Sequence, residues 1–318
     1  MPTPPPRRAA LAAALALTAA TALSACGSDT LDVGESNAVS GGGAAATAAA
    51  QAAVDKITPD PKLKAMLPAK VQSSGVINVG AEAAYAPMEF VGSDGSSIIG
   101  VDVDLFGAIA KKMGVKAQFQ QTEFAAIIMG VTGGKYDAGV SSFTINKDRE
   151  KQVLMTSYFK AGTLWAVQKG NPKKVDLNNV CGLSIGVQKG TVQVDDLTAR
   201  SKKCTQAGKP AINQVVEAGQ SKVTADLVSG KVVAFAADSP VTAYAVTLQG
   251  DFIERLGDMY ASAPYGTVVR KSEPQFAQAI GQALDALKKD GTYAAILKKW
   301  NVDDGAIDTF EVNPEVAE

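Results

Sequence analysis

The sequence has no histidine among its 318 residues. That absence excludes a Ser-His-Asp triad, a Cys-His nucleophile pair, a His-ligated zinc and a histidine pH switch. Cysteine is scarce: three residues are too few for a four-cysteine metal site. Neither sign of charge is in surplus. With 31 basic and 32 acidic residues the formal charge is −1, without the basic excess that a nucleic-acid partner calls for. No Walker phosphate loop is present in the sequence. No metal or cofactor is expected, and any chemistry would rest on carboxylates, Lys, Arg, Tyr or hydroxyls. The length and the 46% hydrophobic content fit a folded protein of two ordinary domains.

Long apolar runs are also missing. Arg7 and Arg8 precede an apolar stretch from Ala9 to Leu23, too short and too alanine-rich for a good membrane span. A basic start, a short apolar core and small residues at its end read as an export signal over residues 1–25. Leu23-Ser24-Ala25-Cys26 resembles a bacterial lipobox, which implies cleavage before Cys26 and a lipid on its sulfur. Removing residues 1–25 takes away two arginines and no acid, leaving a charge of −3. Residues 26–69, with Gly41-Gly42-Gly43 and an Ala/Thr/Gln tract, are expected to be a largely flexible tether, partly helical near Ala44–Val54. This places the body at the extracytoplasmic face of the membrane, held through the lipid on Cys26. Cys181 and Cys204 remain and, in an exported chain, are expected to pair. That loop would stabilise by roughly 3 kcal/mol.

From Val76 onward strand and helix alternate. Val76–Val79, Val115–Gln121, Tyr136–Ser141, Leu183–Val187 and Val232–Ala237 read as strands. Asp102–Met113, Phe124–Thr132, Thr191–Ser201, Gln220–Ser229 and Thr292–Trp300 read as helices. Ser239 and Ser272 stand where N-caps would open two more, the second with a capping-box Gln275 and running to about Lys289. The pattern is two α/β units. By itself it reveals no ligand.

A set of ordered motifs carries a resemblance. They are Gly80-x-x-x-x-Tyr85-Ala86-Pro87, Gly100-Val101-Asp102-Val103-Asp104-Leu105, Gly134-Lys135-Tyr136-Asp137-Ala138 and Ser141-Ser142-Phe143-Thr144-Ile145-Asn146-x-x-Arg149. Further on come Gly186-Val187-Gln188-Lys189-Gly190-Thr191, Ala237-Asp238-Ser239-Pro240, Pro264-Tyr265-Gly266-x-x-Val269-Arg270-Lys271 and Asp290-Gly291-Thr292-Tyr293-x-x-Ile296-x-x-Lys299-Trp300. In this order the chain from about Gly75 to Val302 resembles the family 3 extracellular solute-binding proteins, amino-acid receptors of ABC importers. The resemblance implies a type II periplasmic-binding-protein-like fold: two α/β lobes joined by a two-segment hinge. Lobe 1 is expected at 70–159 and 267–318, and lobe 2 at 160–266. Its implied partners are a free amino acid and an importer permease, and a monomer is expected.

The resemblance also implies a ligand site. Arg149 takes the ligand carboxylate, and Asp238 takes the ammonium. Ser141, Ser142 and Thr144 add hydroxyl and backbone contacts. Thr191 and Val192 open a helix whose free N–H groups meet the carboxylate. Tyr85 and Phe124 stack on the ligand side chain, with core packing as the alternative. Glu82 and Gln188 line the same region. Arg149 and Asp238 cancel the two head charges, so Glu82 is left over. A cationic or polar side chain, arginine-like first, would satisfy it; so would a protein Lys or Arg. Two features depart from the family pattern: Met88 after Pro87, and Glu82 where Asp is common. Two other readings remain. One is an exported dehydratase on this fold, using Glu82 or Glu123 as acid. The other is a ligand-presenting sensor component. A Ser157-x-x-Lys160 match lacks the Lys-Thr-Gly and Ser-Asp-Asn partners of serine acyl enzymes.

Overall fold

The computed structural model describes residues 41–316. The expected export segment, Cys26 and the first part of the tether lie outside the described residues. Eleven α-helices and eleven strands follow.

Three helices come first: α1 (Gly43–Asp55), α2 (Pro61–Ala65) and α3 (Ala69–Ser74). The tether reading is corrected here. Alanine is the best helix former, and this tract is rich in it. The Gly42 N–H donates to Lys299 O (2.9 Å), and Lys111 Nζ donates to Val54 O (2.8 Å). Ile57, Leu63, Leu67 and Val71 are buried in the main core. The sequence reading weighed the lack of large apolar residues over 26–69 and missed Ile57, Leu63 and Leu67; Val71 falls in the expected lobe 1.

The strands β1 (Val76–Ala81), β5 (Lys116–Gln121) and β6 (Ala138–Thr144) are parallel, linked through α4 (Val101–Lys112) and α5 (Phe124–Thr132). Helix α4 carries Asp102 and Asp104 in its first turn and Lys111 and Lys112 in its last, which suits the helix dipole. Between β1 and α4 lies a small sheet of β2 (Ala84–Tyr85), β3 (Glu89–Val91) and β4 (Ile98–Ile99). A short helix, α6 (Lys147–Glu150), then leads into β7 (Val153–Gln168).

The second unit holds β8 (Ser184–Gln188), α7 (Val192–Gln206), β9 (Asn213–Glu217), α8 (Gln220–Val228), β10 (Ala234–Asp238) and α9 (Ser239–Leu248). The long β11 (Ile253–Arg270) returns to α10 (Pro274–Lys289), α11 (Thr292–Lys299) and a 3₁₀ turn at Asp303–Gly305. Cys181 and Cys204 form a disulfide with Cα atoms 5.6 Å apart.

One eight-stranded sheet runs β5-β1-β6-β11-β7-β10-β8-β9. Its two central strands, β7 and β11, are antiparallel and pass through both lobes. They are the two hinge segments of the type II fold. We propose the lobe boundaries at 159/160 and 266/267; the β7–β11 register shifts between Tyr265 and Gly266. Two cap assignments change. The N-caps are Asp238 for α9 and Glu273 for α10, each followed by proline in the first turn and neither bonding its helix through the side chain. Ser239 and Ser272 therefore cap nothing, and no capping box forms with Gln275.

Candidate functional site

The sheet topology sends the ends of four strands to one place. Glu82 follows β1, Thr144 ends β6, Gln188 ends β8 and Asp238 ends β10. Open α/β sheets collect ligands at such carboxyl ends. A narrow cavity lies there. It is lined by all eleven residues singled out from the sequence: Glu82, Tyr85, Phe124, Ser141, Ser142, Thr144, Arg149, Gln188, Thr191, Val192 and Asp238. Glu89 and Gln193 complete the lining.

Arg149 is 8% exposed. Its Nη1 donates to Thr144 O (2.6 Å) and its Nη2 to Gly190 O (3.1 Å). The guanidinium carbon lies 5.4 Å from the ring centroids of both Phe124 and Phe143, which stack on each other at 4.6 Å. Phe124, expected to stack on the ligand side chain or to pack in the core, lies against Arg149 and Phe143. Burial lowers the Arg149 pKa to about 10, still protonated at neutral pH. Five N–H donors serve only two carbonyls, so the fork keeps capacity for a carboxylate. Beside it α7 begins. Its N-cap, Thr191, makes no side-chain cap bond, and its hydroxyl donates instead to Gln188 O (2.8 Å). The first amides of a helix have no intrahelical acceptor, so they reinforce an anion site next to Arg149.

Asp238 stands across the cavity, 5% exposed. Gln193 Nε2 donates to its Oδ1 (2.8 Å) and Tyr265 OH to its Oδ2 (2.6 Å). Burial raises its pKa, opposed by those bonds, by Tyr85 and by the Arg149 charge. Each carboxylate oxygen is thereby oriented and keeps a lone pair for a cation. Glu82 is the third charge. Its Oε2 accepts from Gln188 Nε2 (2.9 Å), and burial lifts its pKa to about 7. No Lys or Arg pairs with it among the described residues. The protein-cation partner left open by the sequence is not found there.

The two sides of the cleft touch directly. Gln188 reaches Glu82, Arg149 reaches Gly190, and the Asp238 N–H donates to Tyr85 OH (3.3 Å). Gly219 is packed so closely that a Cβ would lie 3.1 Å from Glu82 Oε1 and 3.2 Å from Ala84 Cβ.

Sequence reasoning missed Glu89, Gln193 and Tyr265, and with them Asp102 and Tyr158 beneath the cavity floor. Glu89 lies one residue after the Pro87-Met88 pair, and Gln193 two after Thr191. Both were adjacent to quoted motifs but matched no charge requirement.

Comparison with known proteins agrees with this architecture. The family model for bacterial extracellular solute-binding proteins, family 3, matches residues 77–303. The arginine-binding protein ArgT of Corynebacterium glutamicum is 36% identical over 265 residues, covering 82% of this chain and 86% of that protein. A solved ancestral arginine-binding protein bound to arginine superposes with TM-score 0.66 at 34% identity, covering 71% of this chain and 98% of its own. An ancestral amino acid-binding protein, a precursor of cyclohexadienyl dehydratase, gives TM-score 0.63 at 31% identity over 73% of this chain and 97% of its own. With two lobes, two crossing strands and the cavity between them, the chain belongs to the bacterial extracellular solute-binding proteins of family 3.

Proposed function

We propose that this protein captures a free cationic amino acid, arginine first, between its lobes and presents the closed form to an ABC importer permease. The observation that carries the reading is the charge layout: Arg149 and Asp238 face one closed cavity, and Glu82 is a third buried charge without a protein cation. Arg149 and the α7 amides take the carboxylate, and Asp238 takes the ammonium. Glu82 takes the side-chain cation, and Tyr85 and Phe124 flank the aliphatic stem. The arginine-binding protein ArgT and the arginine-bound ancestral structure support that ligand class. The protein acts by binding alone. Against the enzyme reading, Glu123 is not part of the cavity lining, and Asp238 would repel a dicarboxylate substrate. A lipid on Cys26 keeps the receptor at the extracytoplasmic face; no described helix is long and apolar enough to cross a membrane.

Ligand binding shifts an open–closed equilibrium, and the permease reads the closed shape. Blocking closure should therefore cost affinity even though no charged group is replaced. Gly219→Val is expected to weaken arginine about tenfold or more, from an overpacking cost of about 1–3 kcal/mol. The unliganded melting temperature should hold. Calorimetric titration with parallel melting curves checks both. Unchanged affinity would mean that the ligand does not need the closed cleft.

A thermal-shift panel of the twenty amino acids plus ornithine and citrulline tests the ligand class. Arginine, lysine and ornithine are expected to raise the melting temperature most, because ligands that bind only the folded state stabilise it. A larger rise with leucine or glutamate would overturn the reading.

A further inference from the structure

Glu89 and Asp102 lie beneath the two serines of the cavity floor, and the charge balance above uses neither. Glu89 comes from β3 and Asp102 from the first turn of α4, where Gly100 is packed against the Met88 backbone at φ +137°. Both carboxyl groups are buried, at 0% and 1% exposure. Ser141 Oγ donates to Glu89 Oε1 (2.7 Å). The Ser142 N–H and Tyr158 OH donate to Asp102 Oδ2 and Oδ1, each at 2.8 Å. Ser142 Oγ lies 3.3 Å from both Glu89 Oε2 and Asp102 Oδ2.

The Ser142 hydroxyl therefore stands between one oxygen of each carboxyl group. One hydroxyl carries one proton, so it can donate fully to only one of the two oxygens, and the other contact is satisfied only if that carboxyl is itself protonated. The groups facing the pair are Glu82 after β1, Tyr85 on β2 and Tyr158 on β7. None is a cation, and no Lys or Arg forms an ion pair with either carboxyl among the described residues. Arg149 and Asp238 line the same cavity. Burial and the Asp102 charge hold Glu89 well above the usual carboxylate range. Burial also raises Asp102, to about 6, but the hydrogen bonds that it accepts from Tyr158 and Ser142 oppose the rise and favour its ionised form over that of Glu89. The proton therefore sits on Glu89.

We propose that Glu89 and Asp102 act as one proton-sharing unit, with one proton and one negative charge, that positions Ser141 and Ser142 under the ligand head. Ser142 has φ +51°, a left-handed backbone that a serine holds only when its surroundings fix it. Asp102 fixes it by accepting the Ser142 N–H. Glu89 fixes Ser141, whose hydroxyl also accepts from the Glu82 N–H (3.1 Å). The unit thus reaches the Glu82 backbone and both serines at once. Its positioning role rests on the ligand reading above; the shared proton does not.

Substitution separates this role from that of a second ionised ligand carboxylate. Glu89→Ala is expected to weaken arginine by about 30-fold, because it strips partners from buried polar groups. Glu89→Gln supplies an N–H donor where the protonated acid has O–H, and should restore affinity to within about threefold of wild type. An ionised ligand carboxylate would give the opposite, with Gln as poor as Ala. Infrared difference spectra of the ligand-free protein in the Glu82→Gln background should show a protonated-carboxyl band at neutral pH that Glu89→Gln removes. If the alanine variant does not fold, the glutamine variant and the band decide. A band unaffected by Glu89→Gln, or a glutamine variant that binds as weakly as an ionised-carboxylate knockout, overturns the proposal. A wild-type protein that shows the Glu89-dependent band but binds no amino acid overturns the ligand reading and leaves the shared proton standing.

Discussion

Replacing Arg149 with alanine is expected to weaken amino-acid binding by about 3–5 kcal/mol, a factor of about 150 to several thousand. The magnitude comes from stranding the ligand carboxylate in a site with 8% exposure at its arginine. The α7 amides alone carry only partial charge and cannot neutralise a full anion. Arg149→Lys should recover part of the loss, because lysine keeps the charge but lacks the planar fork that spans Thr144 O, Gly190 O and a carboxylate. Arg149 also lies against Phe124 and Phe143, so the variant's melting curve must accompany the titration. Alanine binding within threefold of wild type would remove Arg149 from the site.

The second large effect is at Glu82 and depends on pH. In the unliganded protein burial holds this carboxyl at about 7, against an ordinary 4.5. A cation placed beside it favours the ionised form, so the complex holds fewer protons than the free protein below about pH 7. Arginine affinity should therefore rise with pH, by up to about tenfold per unit, and flatten above that point. Glutamine, with no side-chain charge, should show a shallower rise. The stability of the unliganded fold runs the other way. The folded state binds the extra proton, so the contribution from Glu82 is full below about pH 4.5 and is lost as pH climbs to about 7. Glu82→Gln should cost arginine about 1.5–3 kcal/mol, leave glutamine nearly unaffected and flatten the arginine profile. Titrations of both ligands across that range check all three statements. A pH-independent arginine affinity in the wild type would show that Glu82 does not meet the ligand cation.

Much of the lobes was legible in the sequence because each element is amphipathic by itself. Helix α5 spans Phe124–Thr132 as read, and β1, β5 and β8 fall within two residues of the expected bounds. The two crossing strands were not legible. From Val153 to Gln168, β7 is buried on both faces for most of its length, so it shows no alternation to mark a strand or its passage between lobes. Helix α1 was expected near Ala44–Val54, but α2 and α3 were missed because a few anchors, Ile57, Leu63, Leu67 and Val71, do the work that a continuous apolar stripe usually does.

The cavity divides the same way. The resemblance to family 3 pointed to Arg149, Asp238 and Glu82, and their charges could then be weighed against a zwitterion with a third charge. Glu89 and Asp102 could not. An acid in a short strand and an acid in a first helical turn each have an ordinary explanation, solvation for one and the helix dipole for the other. Only the fold places both against Ser142, thirteen residues apart in the chain but on one hydroxyl. Gln193 was hidden for a similar reason: its partner, Asp238, is on another strand and helix pair.

The central claim is that the cavity takes a cationic amino acid through three separate charges. Its most direct test is calorimetric titration of the purified protein with arginine, glutamine, glutamate and leucine at one pH above the Glu82 range. The account predicts saturable one-to-one binding, with arginine tightest, glutamine weaker, and glutamate and leucine weakest. Tighter binding of glutamate or leucine than of arginine would contradict it.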